Sequence, residues 1–329
     1  MHHIGIIGGG AWGTALAASA VRAGRKVTLW ALEDEVVSAV NIRHENTLYL
    51  PGIPLDPALR ATGDMAEAAA ADAILLVAPA QHMRAVAGQL VDAGADAPLV
   101  ICSKGVEQKT LALMSDVLSD VAPGADIAVL SGPTFAAELA RNLPTAVTLA
   151  ARDEALGGRL IEALGHNRFR PYLSHDVVGA QIGGAVKNVL AIAAGIVAGA
   201  RLGDNAAAAL ITRGLAEIMR LGQALGAQRE TLMGLSGLGD LVLTCGSTQS
   251  RNMSLGKALG EGRALAEILG ERRSVAEGVF TASGVAALAD RHEIEMPICG
   301  AMDRVLNHGA VVTDEIDALL SRPFKLETL

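Results

Sequence analysis

The first fourteen residues constrain the fold more than any other part of the chain. The apolar run Ile4–Ile7 is followed at once by Gly8, Gly10 and Gly13, and a helical pattern begins at Ala11. This G-x-G-x-x-G spacing, placed between a strand and a helix, is the context in which the motif binds a dinucleotide. The glycines allow a tight turn and a close approach of the backbone to a pyrophosphate, and the helix N-terminus supplies N–H donors. We therefore predict a dinucleotide site, with a glycine-rich turn that binds nothing as the alternative.

The first half of the chain alternates buried strands with helical segments. Alternation of this kind builds a mostly parallel sheet with helices on both faces, so we predict a Rossmann-type, doubly wound α/β domain over residues 1–178. The predicted strands are Ile4–Ile7, Val27–Trp30, Ala73–Val77, Leu99–Cys102, Ile127–Leu130 and Ala146–Ala150, with an edge strand at Phe169–Leu173. Helices are predicted between them in segments such as Ala11–Ala23, His82–Val91 and Leu111–Ser119.

Helical periodicity replaces the alternation from about Asp176 onward, with no convincing β-run. We predict that residues 179–329 form an all-helical domain for substrate binding and catalysis. The apolar run Val189–Ala200 is 12 residues long, whereas a membrane span needs about 20, so a buried core helix is expected. The predicted helices are Val177–Ala200, Asn205–Leu225, Leu255–Leu259, Ala264–Leu269, Gly278–His292, Ala301–Asn307 and Asp314–Leu320.

Composition excludes several classes of partner. Aromatic residues make up 2% of the chain and the net charge is −8, so neither base stacking nor attraction to a polyanion favours nucleic-acid binding. The start, Met1-His2-His3, lacks the features of a signal peptide. The three cysteines are far apart in sequence and indicate neither a disulfide framework nor a zinc site. We expect a cytoplasmic protein without metal and, from the prevalence of two-fold oligomers, a homodimer.

A lysine in an unusual setting points to the chemistry. The segment Gly183–Asn188 places Lys187 in what the pattern predicts to be the first turns of a hydrophobic helix. Burial would lower the pKa of this lysine toward the range in which it can take a proton from an alcohol. Combined with a nicotinamide site, such a base suggests hydride transfer at a carbon that bears a hydroxyl group.

Two residues near the glycine loop have alternative interpretations. Trp12 either forms a wall of the cofactor site or packs in the core. Glu33 lies about 20 residues beyond the glycines, where an acid typically binds the ribose 2′-hydroxyl. The alternative for Glu33 is a solvated acid at a helix start, where negative charge is favoured in any case.

Four further polar segments lie at predicted junctions between loops and helices. Each has a plain structural interpretation by itself: Lys104 as a surface lysine, Thr134 as part of a helix cap, Asp240 as a helix start, and Arg251 on a solvated face. The segments are Cys102–Gly105, Ser131–Ala136, Gly237–Thr244 and Gln249–Asn252.

Taken together with the lysine segment, these stretches give the chain an end-to-end resemblance to the bacterial NAD(P)-dependent sn-glycerol-3-phosphate dehydrogenases. The resemblance implies reversible reduction of dihydroxyacetone phosphate to sn-glycerol 3-phosphate, the backbone of phospholipids, with NAD or NADP as the cofactor. The matching stretches are GGGAWGTALA, SKG, SGPTFAAELA, GGAVKNVLAIAAG, ITRGLAEI, GLGDLVLTC and QSRN.

The resemblance also implies roles for individual residues. Lys187 is expected to transfer the proton and Asp240 to orient or tune it, with both also contacting the substrate; Asn188 and Thr244 are candidates for positioning Lys187. The other expected substrate contacts are Lys104, Gly132, Thr134, Ser250, Arg251 and Asn252. The expected cofactor contacts are Gly8, Gly10, Ala11, Trp12, Gly13, Leu32, Glu33, Lys104, Ala136, Arg251, Val275 and Glu277.

One segment departs from the family pattern. Many bacterial members carry a histidine or another basic residue just after the second strand, where this chain has Leu32 followed by three acids, Glu33, Asp34 and Glu35. A 2′-phosphate would be repelled there, whereas a 2′-hydroxyl could donate to Glu33. The departure puts the NADPH preference usual in the family in doubt, and we expect NADH to be used at least as well as by the bacterial relatives. The alternative is that Arg43 or another distant cation folds back onto the site.

Two other functions remain as alternatives. A related β-hydroxyacid-type dehydrogenase also combines a Rossmann domain with helices and a catalytic lysine, but such enzymes often recognise a carboxylate. A non-catalytic nucleotide sensor would need the glycine loop but not Lys187, Asp240 and Arg251 together. The phosphate-binding chemistry of Gln249–Asn252 favours the glycerol-phosphate assignment.

Overall fold

A computed structural model describes residues 1–271, 277–324 and 326. The chain divides into two compact units. The first comprises Met1–Lys104 and Leu113–Val177, and the second comprises Gly105–Ala112 and Val178–Leu329. The short segment Gly105–Ala112 therefore belongs to the second unit, although it lies within residues 1–178 in sequence.

The first unit is built on an eight-stranded sheet with the order β3-β2-β1-β4-β5-β6-β7-β8. All neighbouring strands run parallel except β6 and β7. The order of the first six strands is that of a dinucleotide-binding sheet, so the predicted Rossmann-type architecture is confirmed. The strands are β1 (His3–Ile7), β2 (Lys26–Trp30), β3 (Arg60–Thr62), β4 (Ala73–Leu76), β5 (Leu99–Ile101), β6 (Ile127–Ser131), β7 (Thr145–Ala151) and β8 (Phe169–Ser174).

Helices and short turns connect these strands. The central strands are apolar and fully buried, with Ile4, Leu29 and Leu75 at 0% exposure, as expected for a parallel sheet covered on both faces. The helices are α1 (Ala11–Arg22), α2 (Asp34–Ser38), α3 (Met65–Ala69), α4 (Met83–Asp92), α5 (Met114–Val121), α6 (Ala136–Ala140) and α7 (Glu154–Leu164). A π-helical turn, Ala39–Arg43, and a 3₁₀ turn, Ala80–His82, precede the third strand and the fourth helix respectively.

Two sequence predictions in this unit need correction. Strand β3 was not predicted, because it has only three residues and begins with a charged Arg60; its pairing with β2 makes it a strand. The helix predicted from Leu111 begins instead at Met114. Leu111 has φ +63°, a left-handed conformation that a right-handed helix does not contain.

Within the described part of residues 178–329, every regular secondary-structure element of the second unit is helical. Every predicted helix is present, with ends shifted by a few residues. The helix Arg229–Leu232 (α10) was not predicted, because its four residues give too little periodicity, whereas the helix start suggested at Asp240 is present as α11 (Asp240–Cys245). The helices are α8 (Val177–Gly199), α9 (Asp204–Ala224), α10 (Arg229–Leu232), α11 (Asp240–Cys245), α12 (Arg251–Gly260), α13 (Leu265–Gly270), α14 (Glu277–Arg291), α15 (Pro297–Asn307) and α16 (Val312–Leu320), with a π-helical turn at Leu235–Gly239.

Helix α8 is long and apolar, with a mean hydropathy of 1.7 over its most apolar 18 residues. Among the described helices it alone has the length and composition to cross a membrane, but 94% of that window is buried inside the protein. Such burial is what the core helix of a domain shows. The helix starts at Val177, so Lys187 lies near its middle and not in its first turns, contrary to the sequence prediction.

A buried acid holds one helix end of the second unit. Glu217 of α9 is 1% exposed and accepts the backbone N–H groups of Ile298 at 2.7 Å and Cys299 at 3.0 Å. These N–H groups belong to the first turn of α15, where a helix has no internal acceptors. Burial raises the pKa of Glu217, while the two N–H donors favour its ionised form.

We expect Glu217→Ala to lower the free energy of unfolding. The substitution leaves two buried N–H donors without an acceptor, at a cost of about 1–3 kcal/mol each. Urea unfolding measures the loss. Glu230→Ala, which removes an exposed acid from α10, serves as the control and should stay within about 0.5 kcal/mol of the wild type. Equal stability of the two variants would show that Glu217 does not stabilise α15.

Candidate active site

The glycine loop of the first unit has the shape that a pyrophosphate requires. Gly8 has φ +126°, which a residue with a side chain rarely adopts. A Cβ atom at Gly13 would lie 1.9 Å from the carbonyl oxygen of Gly8, so the first turn of α1 packs directly on the loop. A Cβ at Gly10, by contrast, would meet nothing within 4 Å. The space above Gly10, at the N-terminus of α1, fits the close approach of a phosphate group.

An asparagine that sequence reasoning missed supports this loop. Asn46 is fully buried, and its Nδ2 donates to the carbonyl oxygen of Gly9 and to Thr14 Oγ1, both at 2.8 Å. Its Oδ1 accepts the backbone N–H of Tyr49 at 3.0 Å. Asn46 lies in an irregular segment far from the motif in sequence, so no local pattern indicated its role.

The segment after β2 places its acids at the surface. Leu32 is 77% exposed, and Glu33 precedes α2 and accepts the hydroxyl of Tyr49 at 2.7 Å. This acceptor raises the pKa of Tyr49. Arg43, the nearby cation in sequence, donates to Thr47 Oγ1 at 3.1 Å. Within the glycine motif, Trp12 Nε1 donates to the carbonyl oxygen of Cys102 at 3.2 Å. This hydrogen bond connects α1 to the residue that follows β5.

Polar residues gather where β5 and β6 end. The two strands pair in parallel with Ile101 beside Val129, so the residues that follow them emerge at the same edge of the sheet. Lys104 Nζ donates to the carbonyl oxygen of Gly132 at 3.3 Å. Within the described residues, three buried hydroxyl oxygens at this edge have no hydrogen-bond partner: those of Ser103, Ser131 and Thr134. Burying a hydroxyl group without a hydrogen-bond partner costs free energy. These three hydroxyls are therefore candidates to form hydrogen bonds with a ligand. Ser103 and Ser131 were not predicted as ligand contacts.

Helix α8 brings its lysine to the second unit's polar centre. A Cβ atom at Gly183 would lie 2.4 Å from the carbonyl oxygen of Ser236, so α8 contacts the π-helical turn backbone to backbone. Lys187 is one turn further along the same face of α8, and Asp240 immediately follows that turn. The absence of a side chain at Gly183 therefore allows Lys187 and Asp240 to come into contact.

Lys187, Asp240 and Thr244 form one buried cluster. Lys187 Nζ donates to Asp240 Oδ1 at 2.5 Å and to Thr244 Oγ1 at 2.8 Å. The hydroxyl of Thr244 donates to the backbone carbonyl oxygen of Asp240 at 2.6 Å, which leaves its lone pairs toward the lysine. The Lys187 and Asp240 side chains are 8% and 0% exposed. Burial disfavours the charged ammonium, and the carboxylate 2.5 Å away favours it.

Two buried cysteine thiols, Cys245 in the second unit and Cys102 in the first, have low reactivity. Burial raises the pKa of Cys245, at the end of α11, to about 12. Burial also raises the pKa of Cys102. Since the thiolate is the reactive form, neither thiol provides a reactive group near neutral pH.

The predicted phosphate segment begins α12. Ser250 is the N-cap of this helix, with Oγ accepting the N–H of Met253 at 3.3 Å. Arg251 is the first helical residue and is exposed. A Cβ atom at Gly256 would lie 1.9 Å from the carbonyl oxygen of Ile192, so α12 lies close against α8 and is fixed relative to the lysine-bearing helix.

Four predicted positions remain. Asn252 is buried, and its side chain bonds to Asn188 and to the N–H of Gly278. Ala136 begins α6 in the first unit, and Glu277 begins α14 in the second. Val275 lies outside the described residues.

Known proteins match the chain along nearly its whole length. The family model for the N-terminus of NAD-dependent glycerol-3-phosphate dehydrogenase matches residues 3–157, and the model for its C-terminus matches residues 176–317. The chain belongs to this family. Two curated relatives are named glycerol-3-phosphate dehydrogenase [NAD(P)+]. The Parvibaculum lavamentivorans protein is 61% identical over 99% of this chain and 98% of its own length. The Rhodospirillum rubrum protein is 63% identical over 99% of this chain and 94% of its own length.

Solved structures agree. The crystal structure of glycerol-3-phosphate dehydrogenase from Coxiella burnetii has a TM-score of 0.94 and 41% sequence identity, covering 98% of this chain and 99% of that one. The predicted family, enzyme class and NAD(P) cofactor class are thereby confirmed. The two alternatives, a β-hydroxyacid-type dehydrogenase and a nucleotide sensor, do not account for identity above 60% along the whole chain to enzymes of this name.

Proposed function

We propose that this protein catalyses the reversible NAD(P)-dependent interconversion of dihydroxyacetone phosphate and sn-glycerol 3-phosphate, supplying glycerol 3-phosphate for phospholipid synthesis. The observation that carries the proposal is the buried Lys187–Asp240 ion pair, which provides a proton-transfer group within the helical unit. Family membership supports the substrate and the cofactor class.

The ion pair suits the direction of ketone reduction. Asp240 stabilises the ammonium form of Lys187, which can donate a proton to the oxygen of the substrate carbonyl as that carbon is reduced. In the direction of alcohol oxidation, the neutral amine takes the hydroxyl proton back. Thr244 Oγ1 accepts a hydrogen bond from Lys187 Nζ and thereby fixes the position of that nitrogen. A nicotinamide cofactor held by the glycine loop would supply or accept the hydride.

A permanent charge and fixed donors suit the substrate's phosphate. Arg251 offers a guanidinium fork at the start of α12, where the helix N-terminus also favours an anion. Ser250 lies beside it, although its hydroxyl oxygen already accepts a backbone N–H. We also assign Lys104, Gly132 and Thr134 to the substrate, on the strength of the resemblance and of the unpaired Thr134 hydroxyl.

The cofactor assignments rest on the shape of the glycine loop. Gly8, Gly10 and Gly13 with Ala11 form the cradle at the N-terminus of α1 that would hold the pyrophosphate. Trp12, Leu32, Glu33, Lys104, Ala136, Arg251, Val275 and Glu277 complete the proposed contacts. We further propose that the protein is a cytoplasmic homodimer, that it binds no nucleic acid, and that α8 is a core helix and not a membrane span.

The decisive experiment is a spectrophotometric assay of the purified protein. We expect dihydroxyacetone phosphate to cause oxidation of NADH or NADPH, and sn-glycerol 3-phosphate to cause reduction of the oxidised cofactor. Dihydroxyacetone without phosphate should be a poor substrate. Cofactor binding without turnover of either phosphorylated compound would reject the proposed activity.

We expect kcat/KM with NADH to be at least as high as with NADPH. The segment after β2 presents Glu33, Asp34 and Glu35 without a Lys or Arg, and Glu33 keeps an oxygen for a ribose hydroxyl beyond the one that accepts Tyr49. Glu33→Gln should shift the ratio of the two kcat/KM values toward NADPH. Glu35→Gln, which removes an exposed acid from the same segment, should shift it less. A strong NADPH preference that Glu33→Gln leaves unchanged would contradict the assignment.

A further inference from the structure

The peptide between Gly9 and Gly10, which leads into helix α1, is held from the interior of the first unit. The carbonyl oxygen of Gly9 accepts a hydrogen bond from Asn46 Nδ2 at 2.8 Å. Thr14 Oγ1 also donates to this oxygen, at 3.4 Å, and itself accepts from Asn46 Nδ2 at 2.8 Å. Asn46 and Thr14 are both 0% exposed. The oxygen of this peptide therefore faces the interior of the unit and not the solvent.

A further contact determines the orientation of the Asn46 amide. Its oxygen, Oδ1, accepts the backbone N–H of Tyr49 at 3.0 Å. A backbone N–H can only donate, so the nitrogen of the amide must be the atom that faces Gly9. The backbone N–H of Leu50 donates to the carbonyl oxygen of Asn46 at 2.9 Å. The turn that follows Asn46 thus fixes its side chain with the NH₂ group toward the glycine loop.

Glycines on both sides make this peptide unusually free to rotate. A residue without a Cβ atom samples more backbone conformations than any other, and a Cβ built at Gly10 would meet nothing within 4 Å. If such a segment became ordered only when a ligand bound, the ordering would weaken the binding. The hydrogen bonds from Asn46 and Thr14 place the peptide in one orientation before any ligand arrives.

This orientation suits an anion at the start of α1. Among the described residues no peptide bond is cis, and in a trans peptide the C=O and N–H groups point in opposite directions. Since the carbonyl oxygen of Gly9 is directed inward, the N–H of Gly10 is directed away from the interior. The reverse orientation would present the partial negative charge of a carbonyl oxygen to a pyrophosphate, which would repel it.

We propose that Asn46, supported by Thr14, is a positioning residue for the pyrophosphate of the dinucleotide cofactor. It holds the Gly9–Gly10 peptide with its carbonyl oxygen inward and its N–H outward, and it acts through this peptide without touching the cofactor. The inference rests on the cofactor site of the proposed function and deepens it. Its readout is binding of the cofactor, so it does not depend on which substrate is reduced.

The test begins with Asn46→Ser. A serine hydroxyl can still accept the N–H of Tyr49, since such turns form with serine as well, but the nitrogen that donates to Gly9 and Thr14 is lost. We expect the Kd for NADH, measured by fluorescence titration, to rise about five- to thirtyfold, the change that corresponds to ordering one backbone residue on binding. The kcat at saturating NADH should change little, because Lys187 lies in the other unit.

Asn41→Ser is the matched control. The Asn41 amide also bonds to backbone groups, with Nδ2 donating to the carbonyl oxygen of Ala61 at 2.8 Å and Oδ1 accepting the N–H of Ala61 at 2.9 Å. These bonds join the same segment of the chain to β3 and not to the glycine loop. Asn41→Ser should lower Tm and leave the Kd for NADH nearly unchanged. An equal rise in Kd for the two variants would overturn the inference, because it would show that Asn46 only anchors the segment.

Two ligand fragments separate an effect on the pyrophosphate from a general loss of the cofactor site. ADP-ribose carries the pyrophosphate, whereas adenosine carries none. In competition with NADH, Asn46→Ser should weaken ADP-ribose about as much as NADH and leave adenosine nearly unchanged. Equal weakening of the two fragments would reject the positioning role. Should Asn46→Ser fail to fold, Thr14→Val removes the other donor to the Gly9 oxygen with little change of shape, and the same difference between the fragments is expected.

Binding and turnover together distinguish this inference from the proposed function. A wild type that binds NADH without reducing dihydroxyacetone phosphate, and loses affinity selectively in Asn46→Ser, would reject the function and retain the positioning role. An active wild type whose Kd for NADH is the same in folded Asn46→Ser would retain the function and reject the positioning role.

Discussion

Lys187→Ala is expected to lower kcat with dihydroxyacetone phosphate by about 10²–10⁴-fold, the usual contribution of general acid–base catalysis. The lysine is the proposed proton donor, and its Nζ lies 2.5 Å from Asp240 Oδ1 and 2.8 Å from Thr244 Oγ1. The glycine loop belongs to the other unit, so binding of NADH should persist. Steady-state kinetics and a fluorescence titration of NADH measure the two quantities.

Stability has to be separated from catalysis in this variant. Removing the lysine leaves the Asp240 carboxylate buried without its cation, at a cost of about 3–5 kcal/mol. The double variant Lys187→Met/Asp240→Asn removes both charges, so we expect it to regain stability and remain inactive. Lys109→Ala removes an exposed lysine of the same unit and should leave kcat unchanged. Near-normal kcat in a folded Lys187 variant would exclude the lysine from proton transfer.

Arg251→Ala is expected to reduce kcat/KM for dihydroxyacetone phosphate by about 10- to 150-fold, since a hydrogen bond to a charged group contributes about 1.5–3 kcal/mol. The loss should appear mainly in KM. Activity with unphosphorylated dihydroxyacetone should change little, so the variant discriminates less between the two compounds. Competition kinetics with both substrates measure this ratio.

The matched control for this prediction is Arg229→Ala, which removes an exposed arginine at the start of α10. It should retain the wild-type ratio of the two kcat/KM values. If Arg251→Ala keeps the full preference for the phosphorylated substrate, the phosphate is bound by other residues. Lys104 would then be the first candidate.

The sequence by itself determined the architecture and the chemical class. The motif Gly8–Gly13 and the alternation of apolar runs specified the parallel sheet, because a strand buried on both faces must be continuously apolar. The stretches around Lys187 and Asp240 specified the family. What local patterns could not specify were short elements such as β3 and α10, whose few residues adopt their structure only through pairing or packing.

Only the tertiary structure decided which polar side chains meet. Residues Lys187 and Asp240 are far apart in sequence, and their contact depends on the close approach of α8 to the turn at Gly183. The same holds for Asn252, which the sequence placed with the phosphate ligands and the structure places against Asn188 and Gly278. Sequence patterns report local periodicity and residue type. Hydrogen bonds between distant segments depend on how closely two backbones pack, which is a property of the folded chain alone.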